Sequence, residues 1–166
     1  MSGSPADGTD VVVRLAGPAD AAEITRLRAV MLASVDGGPL RLDEEWADLC
    51  RSELASRLAA GTVLVAMVVD APDGSGLAAA GIGVIDLRLP APGRLSTRVG
   101  HISSMCTDAQ WRRQGYGTAV LDAIVAWLRE RGCSRVELAA SDDGLPLYQR
   151  SGFVESPNPS LRRRLN

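Results

Sequence analysis

The stretch WRRQGYGTAV, Trp111 to Val120, places two arginines, a glutamine and two glycines directly before an apolar, helix-like run. A helix start of this kind is an anion site, because its first-turn N–H groups have no intrahelical acceptor and the helix dipole adds partial positive charge. Gly115 and Gly117 remove side chains that would keep a ligand away from the backbone. A nucleotide or another phosphate-bearing cofactor would suit such a loop. Two nucleotide-binding patterns fail on residue type and spacing. G-x-x-x-x-G-K-[ST] needs a lysine and the chain has none, while G-x-G-x-x-G needs glycine where Val120 stands. The loop also lies far from the first strand, where a dinucleotide fold usually begins. Three further side chains have reactive chemistry: the phenol of Tyr148, the thiol of Cys106, and the imidazole of His101, the only histidine.

These groups must be positioned by a mixed set of elements. Val11 to Ala16 reads as a strand, and Pro18 and Asp20 open a helix on which Ala22, Ile24, Leu27, Val30 and Met31 recur at helical spacing. A loop, VDGGPLRLD, leads to a second helix that Gly61 ends. TVLVAMVVD and LAAAGIGVIDLRL read as strands joined by a turn short enough for an antiparallel hairpin, and VGHISSMCTD reads as a third strand. The helix Tyr116 to Arg131 carries Val120, Leu121, Ile124, Trp127 and Leu128 on one face and stops at Gly132. SRVELAA is a strand, LPLYQRSG a short helix, and a last strand or two is expected around Leu161 and Leu165. The order β α α β β β α β α β implies an α/β fold with a mixed sheet, since three strands able to pair antiparallel argue against a doubly wound one. Residues 1–10 read as a flexible lead and 11–166 as a single domain.

The hexad Arg112-x-x-Gly115-x-Gly117, with Trp111 before it, resembles motif A of the GNAT superfamily of acyl-CoA-dependent N-acyltransferases. LYQRSGF, Leu147 to Phe153, is similar to that family's LYxxxGF signature, about thirty residues downstream. The resemblance extends in element order over almost the whole chain. It implies a central, mostly antiparallel sheet of six to seven strands flanked by about four helices. The donor it implies is acetyl-CoA, with no metal. Met105, Cys106 and Thr107 would pair through their backbone with the pantetheine arm where the fourth strand parts from the fifth. Arg112, Arg113, Gln114, Gly115, Tyr116, Gly117 and Thr118 would wrap the pyrophosphate, and Ser141 would touch the cofactor. The family often has proline where Ala109 stands and asparagine where Ser141 stands.

Acyl transfer to an amine needs a base for the amine proton, stabilisation of the oxyanion, and an acid for the departing thiolate. By the resemblance, Tyr148 is the general acid. An imidazole can take such a proton, and His101, on the fourth strand, stands where some relatives carry an acidic base. An ordered water, which Ser103 and Ser104 could hold, is the other reading. A bulged strand would offer N–H groups to the oxyanion. Cys106 lacks a Cys–His–carboxylate arrangement and reads as a structural thiol.

Composition narrows the class. The 166 residues carry a net charge of -2, so nothing global points to nucleic acid or an anionic membrane. All 18 basic residues are arginine, the bias of a GC-rich, bacterial genome. Three scattered cysteines give neither a disulfide framework nor a zinc pattern. The opening MSGSPADGTD has no features of a secretion signal, and a cytoplasmic location is expected. The acceptor is expected to be a small-molecule or peptide amine met near VDGGPLRLDEEW. There Asp36, Asp43, Glu44 and Glu45 either attract the cationic amine or simply start the second helix. A homodimer is common among relatives. The alternative function is a catalytically silent acyl-CoA sensor or scaffold.

Overall fold

The computed structural model describes residues 11–35, 42–163 and 165. Strands β1 (Arg14–Leu15), β2 (Leu64–Asp70), β3 (Leu77–Leu87), β4 (Arg98–Thr107) and β5 (Val136–Leu138) form one sheet in the order β1-β2-β3-β4-β5. The first four are antiparallel neighbours, and β5 runs parallel to β4. Helices α1 (Ala21–Val35) and α2 (Glu44–Ala60) cover one face. Helices α3 (Tyr116–Glu130) and α4 (Leu145–Arg150) cover the other.

Two cores result, one on each side of the sheet. Ile24, Leu27 and Leu54 from α1 and α2 meet Ala80 and Ile82 of β3. Val120, Leu121, Ile124, Trp127 and Leu128, the apolar stripe of α3, meet Val65, Ala79, Ile85 and Ile102. Each such side chain contributes about 1.5–3 kcal/mol when fully buried. Local signals set the helix ends. Asp43 caps α2 by accepting from the Trp46 N–H at 3.1 Å, and Gly61 ends it in the left-handed region at φ +62°. Asp20 accepts from the Gly17 N–H in the 3-10 turn Pro18–Asp20 and is held by Arg14, whose guanidinium also reaches Asp70. One arginine thus ties β1, the entry to α1 and the end of β2 together.

The strand expectations need correction. The described sheet has five strands where six to seven were expected. The first strand shortens from Val11–Ala16 to Arg14–Leu15, and SRVELAA shortens to Val136–Leu138. Among the described residues of the tail no strand forms, and Leu161 and Leu165 are almost fully exposed. Phe153 packs edge-on to Tyr148, with ring centroids 5.9 Å apart, and the chain beyond it carries Pro157 and Pro159, which have no N–H to give a ladder.

Glycine sets the spacing between sheet and helix. A β-carbon on Gly81 would lie 2.5 Å from Met105 Sδ, 2.6 Å from Ile124 Cδ1 and 2.7 Å from Val120 Cγ1. One on Gly83 would lie 2.6 Å from Ile124 Cγ2, and one on Gly100 2.6 Å from Leu128 Cδ1. These distances are below contact, so α3 rests directly on backbone at three points. Gly81→Ala should lower stability by about 1–3 kcal/mol through overpacking. Thermal unfolding checks this, with a Tm drop of several degrees expected; an unchanged Tm would show that α3 can lift without cost.

Candidate active site

β4 does two jobs along its length. Its ladder with β5 runs only from Gly100↔Val136 to Ile102↔Leu138, so from Ser103 onward that edge has no strand beside it. At the same point the register with β3 slips: Gly83 pairs with Ile102 and Ile82 with Ser104, which leaves Ser103 as the extra residue of a bulge. Beyond the bulge the Asp108 N–H donates to Ala78 at 2.8 Å. Antiparallel alternation then turns the peptide groups of Cys106 toward β3 and those of Met105 and Thr107 toward the open edge. Of the three backbone positions expected to meet a ligand, two face outward and Cys106 does not. The bulge expected for oxyanion stabilisation is present, at Ser103.

The glycine loop follows directly. Asp108 accepts from the Gln110 N–H and starts a 3-10 turn, Ala109–Trp111. Arg113, at φ +66°, and Gly115, at φ +82°, are both left-handed, which is strained for the arginine and free for the glycine. The chain then enters α3 with the N–H groups of Tyr116, Gly117 and Thr118 lacking intrahelical acceptors. Arg112, Arg113, Gln114, Gly115 and Thr118 are exposed around this helix start. Arg112 is partly committed, because its Nε donates to the Thr107 carbonyl at 3.3 Å. A β-carbon on Gly117 would lie 3.5 Å from Thr107 Oγ1 and 3.6 Å from Leu147 Cδ2. The end of β4, the start of α3 and the start of α4 therefore converge on this glycine.

Tyr148 follows Leu147 and is 8% exposed, and nothing among the described residues hydrogen-bonds to its hydroxyl. Burial pushes its phenol above the ordinary range, so it keeps its proton at neutral pH. His101 lies across from Val84 and Glu137 on the α1/α2 face and makes no hydrogen bond with the described residues. Cys106 shares that face, and burial pushes its thiol up, away from a reactive thiolate. Ser141 is used structurally: its hydroxyl accepts from the Gly144 N–H at 3.2 Å and its carbonyl from Leu145 at 2.9 Å, starting α4. Asp36 lies outside the described residues, whereas Asp43 caps α2 and Glu44 and Glu45 form its acidic first turn. Among the described residues no group of three or more His, Cys, Asp or Glu could hold a metal ion, and no helix is long and apolar enough to cross a membrane.

The structure adds a pair that residue types alone did not single out. Arg26 of α1 reaches Asp108 at 2.6 Å and Glu23 at 3.0 Å, and donates to the Leu77 carbonyl at 3.1 Å. Arg26 holds the Asp108 carboxyl below the usual range and anchors the first residue of the glycine loop. One buried side-chain donor, Trp111 Nε1, has no partner among the described residues. Asp108→Ala removes both the cap and the anchor. With an anionic ligand held on this loop, the substitution should raise that ligand's KM at least fivefold with kcat within a factor of two; equal losses in both would mean that the loop also positions the reacting atoms.

Comparison with known proteins agrees with this geometry. Residues 39–153 match the family model described as Acetyltransferase (GNAT) family. Glucosamine 6-phosphate N-acetyltransferase 1 of Oryza sativa subsp. japonica is 34% identical over 138 residues, 83% of this chain and 79% of that one. Aminoglycoside N(6')-acetyltransferase type 1 of Stenotrophomonas maltophilia is 31% identical over 134 residues, 75% of this chain and 76% of that one. Among solved structures, a GCN5-related N-acetyltransferase from Ralstonia eutropha superposes with a TM-score of 0.78 at 25% identity, covering 92% of this chain and 97% of that one. A predicted acetyltransferase from Clostridium acetobutylicum, crystallised with acetyl-CoA, gives 0.78 at 22% identity, covering 92% and 95%. The split strand, the glycine loop on a helix start and these likenesses lead to one conclusion: the chain belongs to the GNAT acetyltransferase family.

Proposed function

We propose that this acetyltransferase moves the acetyl group of acetyl-CoA to the primary amine of a small molecule, by direct attack in a ternary complex. The observation that carries the reading is the open edge of β4 beyond Ile102 standing beside the bare N-terminus of α3. The two features together suit one long ligand with amides at one end and phosphates at the other. Peptide groups of Met105 and Thr107 would pair with the amides, in the manner of an added strand. First-turn N–H groups of Tyr116, Gly117 and Thr118, with the loop Arg112–Gly115, would hold the pyrophosphate. Acetyl-CoA supplies an activated acyl carbon as its thioester. Support for the amine as acceptor comes from relatives named for glucosamine 6-phosphate and aminoglycosides.

The chain's own residues then handle protons and charge. The amine nitrogen bonds to the acyl carbon as the carbon–sulfur bond breaks. Tyr148 Oη gives its proton to the departing sulfur, and burial keeps that proton in place until needed. The amine proton leaves to His101, directly or through a water ordered at Ser103 and Ser104. N–H groups at the Ser103 bulge stabilise the negative charge on the carbonyl oxygen.

Thermal unfolding with saturating acetyl-CoA tests the ligand. A ligand at 100 times its Kd adds about 2.7 kcal/mol of stability, a Tm rise of roughly 5–10 °C for a chain of this size. NADH and ATP should give no comparable rise; a rise with either alone would overturn the reading. Stabilisation without release of CoA thiol across an amine panel would favour a silent acyl-CoA sensor. Tyr148→Phe should lower kcat at least tenfold. In the unmodified enzyme, the basic limb of kcat should lie above the ordinary phenol value of about 10. An unaltered kcat in the variant would remove Tyr148 from the acid role.

A further inference from the structure

Arg28 differs from the arginine that precedes it on the same helix. Arg26 is held by two carboxylates, Glu23 and Asp108. Arg28 is partly buried and has no carboxylate partner among the described residues; its Nη1 donates to the hydroxyl of Ser104. Ser104 is 6% exposed and is one of two buried polar residues among those described. The other, Thr25, is satisfied within its own helix by the Ala21 carbonyl at 2.8 Å.

A serine hydroxyl orients a guanidinium but does not neutralise it. Among the described residues, four of the five N–H donors of Arg28 have no acceptor. Among the described residues, Glu137, across from His101, is held by Arg135 at 2.6 Å, with Arg88 at 3.8 Å, and Glu23 and Asp108 are held by Arg26. Position gives the charge meaning. Ser104 is the residue after the bulge, on the β4 face that also carries His101 and Cys106. The fork of Arg28 is therefore tied to the α1/α2 side of β4 just where β4 parts from β5. A partly desolvated cation of this kind is costly unless an anion meets it, and its planar fork matches a carboxylate or phosphate in two-point contact.

Resting on the acetyl-transfer reading, we infer that the acceptor is an amine that also bears an oxyanion, and that Arg28 grips that oxyanion and so determines specificity. The same charge repels a polycationic acceptor.

The test measures CoA-thiol release with matched acceptors: glucosamine 6-phosphate against glucosamine, an amino acid against its amide, and an aminoglycoside as the polycation. The wild-type enzyme should favour at least one anionic member over its neutral partner by tenfold or more in kcat/KM; the phosphate and carboxylate pairs show which oxyanion is meant. Arg28→Gln should abolish that preference through the KM of the anionic member. The loss should fall on the anionic member more than on its neutral partner, with the KM for acetyl-CoA within a factor of two. Arg28→Lys, which keeps the charge without the fork, should fall between. Equal turnover of charged and neutral members, preference for the aminoglycoside, or equal loss on both members in Arg28→Gln overturns the assignment and leaves acetyl transfer standing. So does absence of turnover with both anionic members while acetyl-CoA still raises the Tm. No rise with acetyl-CoA overturns the acetyl-transfer reading itself, and the proposal with it.

Discussion

The close seating of α3 on the sheet is the constraint from which the rest of the site follows. Where Gly81, Gly83 and Gly100 lie under Val120, Ile124 and Leu128, β-carbons would come within 2.7 Å of those side chains. A helix held off by such methyls would move its N-terminus away from the end of β4. With the glycines in place, Gly117 stands within van der Waals reach of Thr107 and Leu147. The same apolar stripe that contributes stability therefore also aims the first-turn N–H groups, and packing and ligand geometry are one requirement.

Arginine supplies the fine positioning in a chain without lysine. Arg14 joins Asp20 and Asp70, and Arg26 joins Glu23 and Asp108. Both use the planar fork to hold two carboxylates from different elements, which a single ammonium does less specifically. The side chains involved are partly exposed, so each pair adds little to stability by itself. Their effect is on geometry: the first sets the entry to α1, and the second holds the residue that launches the glycine loop.

Much of this was legible in the sequence where one residue's neighbours decide its state. The α3 stripe, the stop of α2 at Gly61, and the hairpin of β2 and β3 all rest on local period or on a glycine or capping signal. What local pattern could not show depends on long-range partners. The tail around Leu161 looks apolar enough for a strand, but apolar residues do not fix a pairing partner, and Pro157 and Pro159 just before it have no N–H to give a ladder. Ser141 stands at a family ligand position in the sequence, and that its hydroxyl also accepts from the Gly144 N–H depends on how the chain turns into α4. Arg26 and Arg28 stand two apart on α1, and nothing in that spacing shows that one reaches Asp108 and the other Ser104. The acidic start of α2 was legible as a helix start and is one.

The bulge at Ser103 shows how a single residue can divide labour across a sheet. Side chains alternate along a strand, so an unbroken β4 would send Ser104 and Cys106 to the side occupied by Ile102, against α3. The extra residue resets the phase. Ile102 and Met105 pack with the α3 core, while Ser104 and Cys106 join His101 on the α1/α2 face. The same reset coincides with the last pairing to β5, so the strand changes its side-chain phase and loses its neighbour at one point. One edge is left with peptide groups free for an extended ligand, and one face gains the imidazole, the hydroxyl and, through it, Arg28. On the proposed reading, donor and acceptor would approach a common point from different directions without competing for the same backbone, as direct transfer in a ternary complex requires.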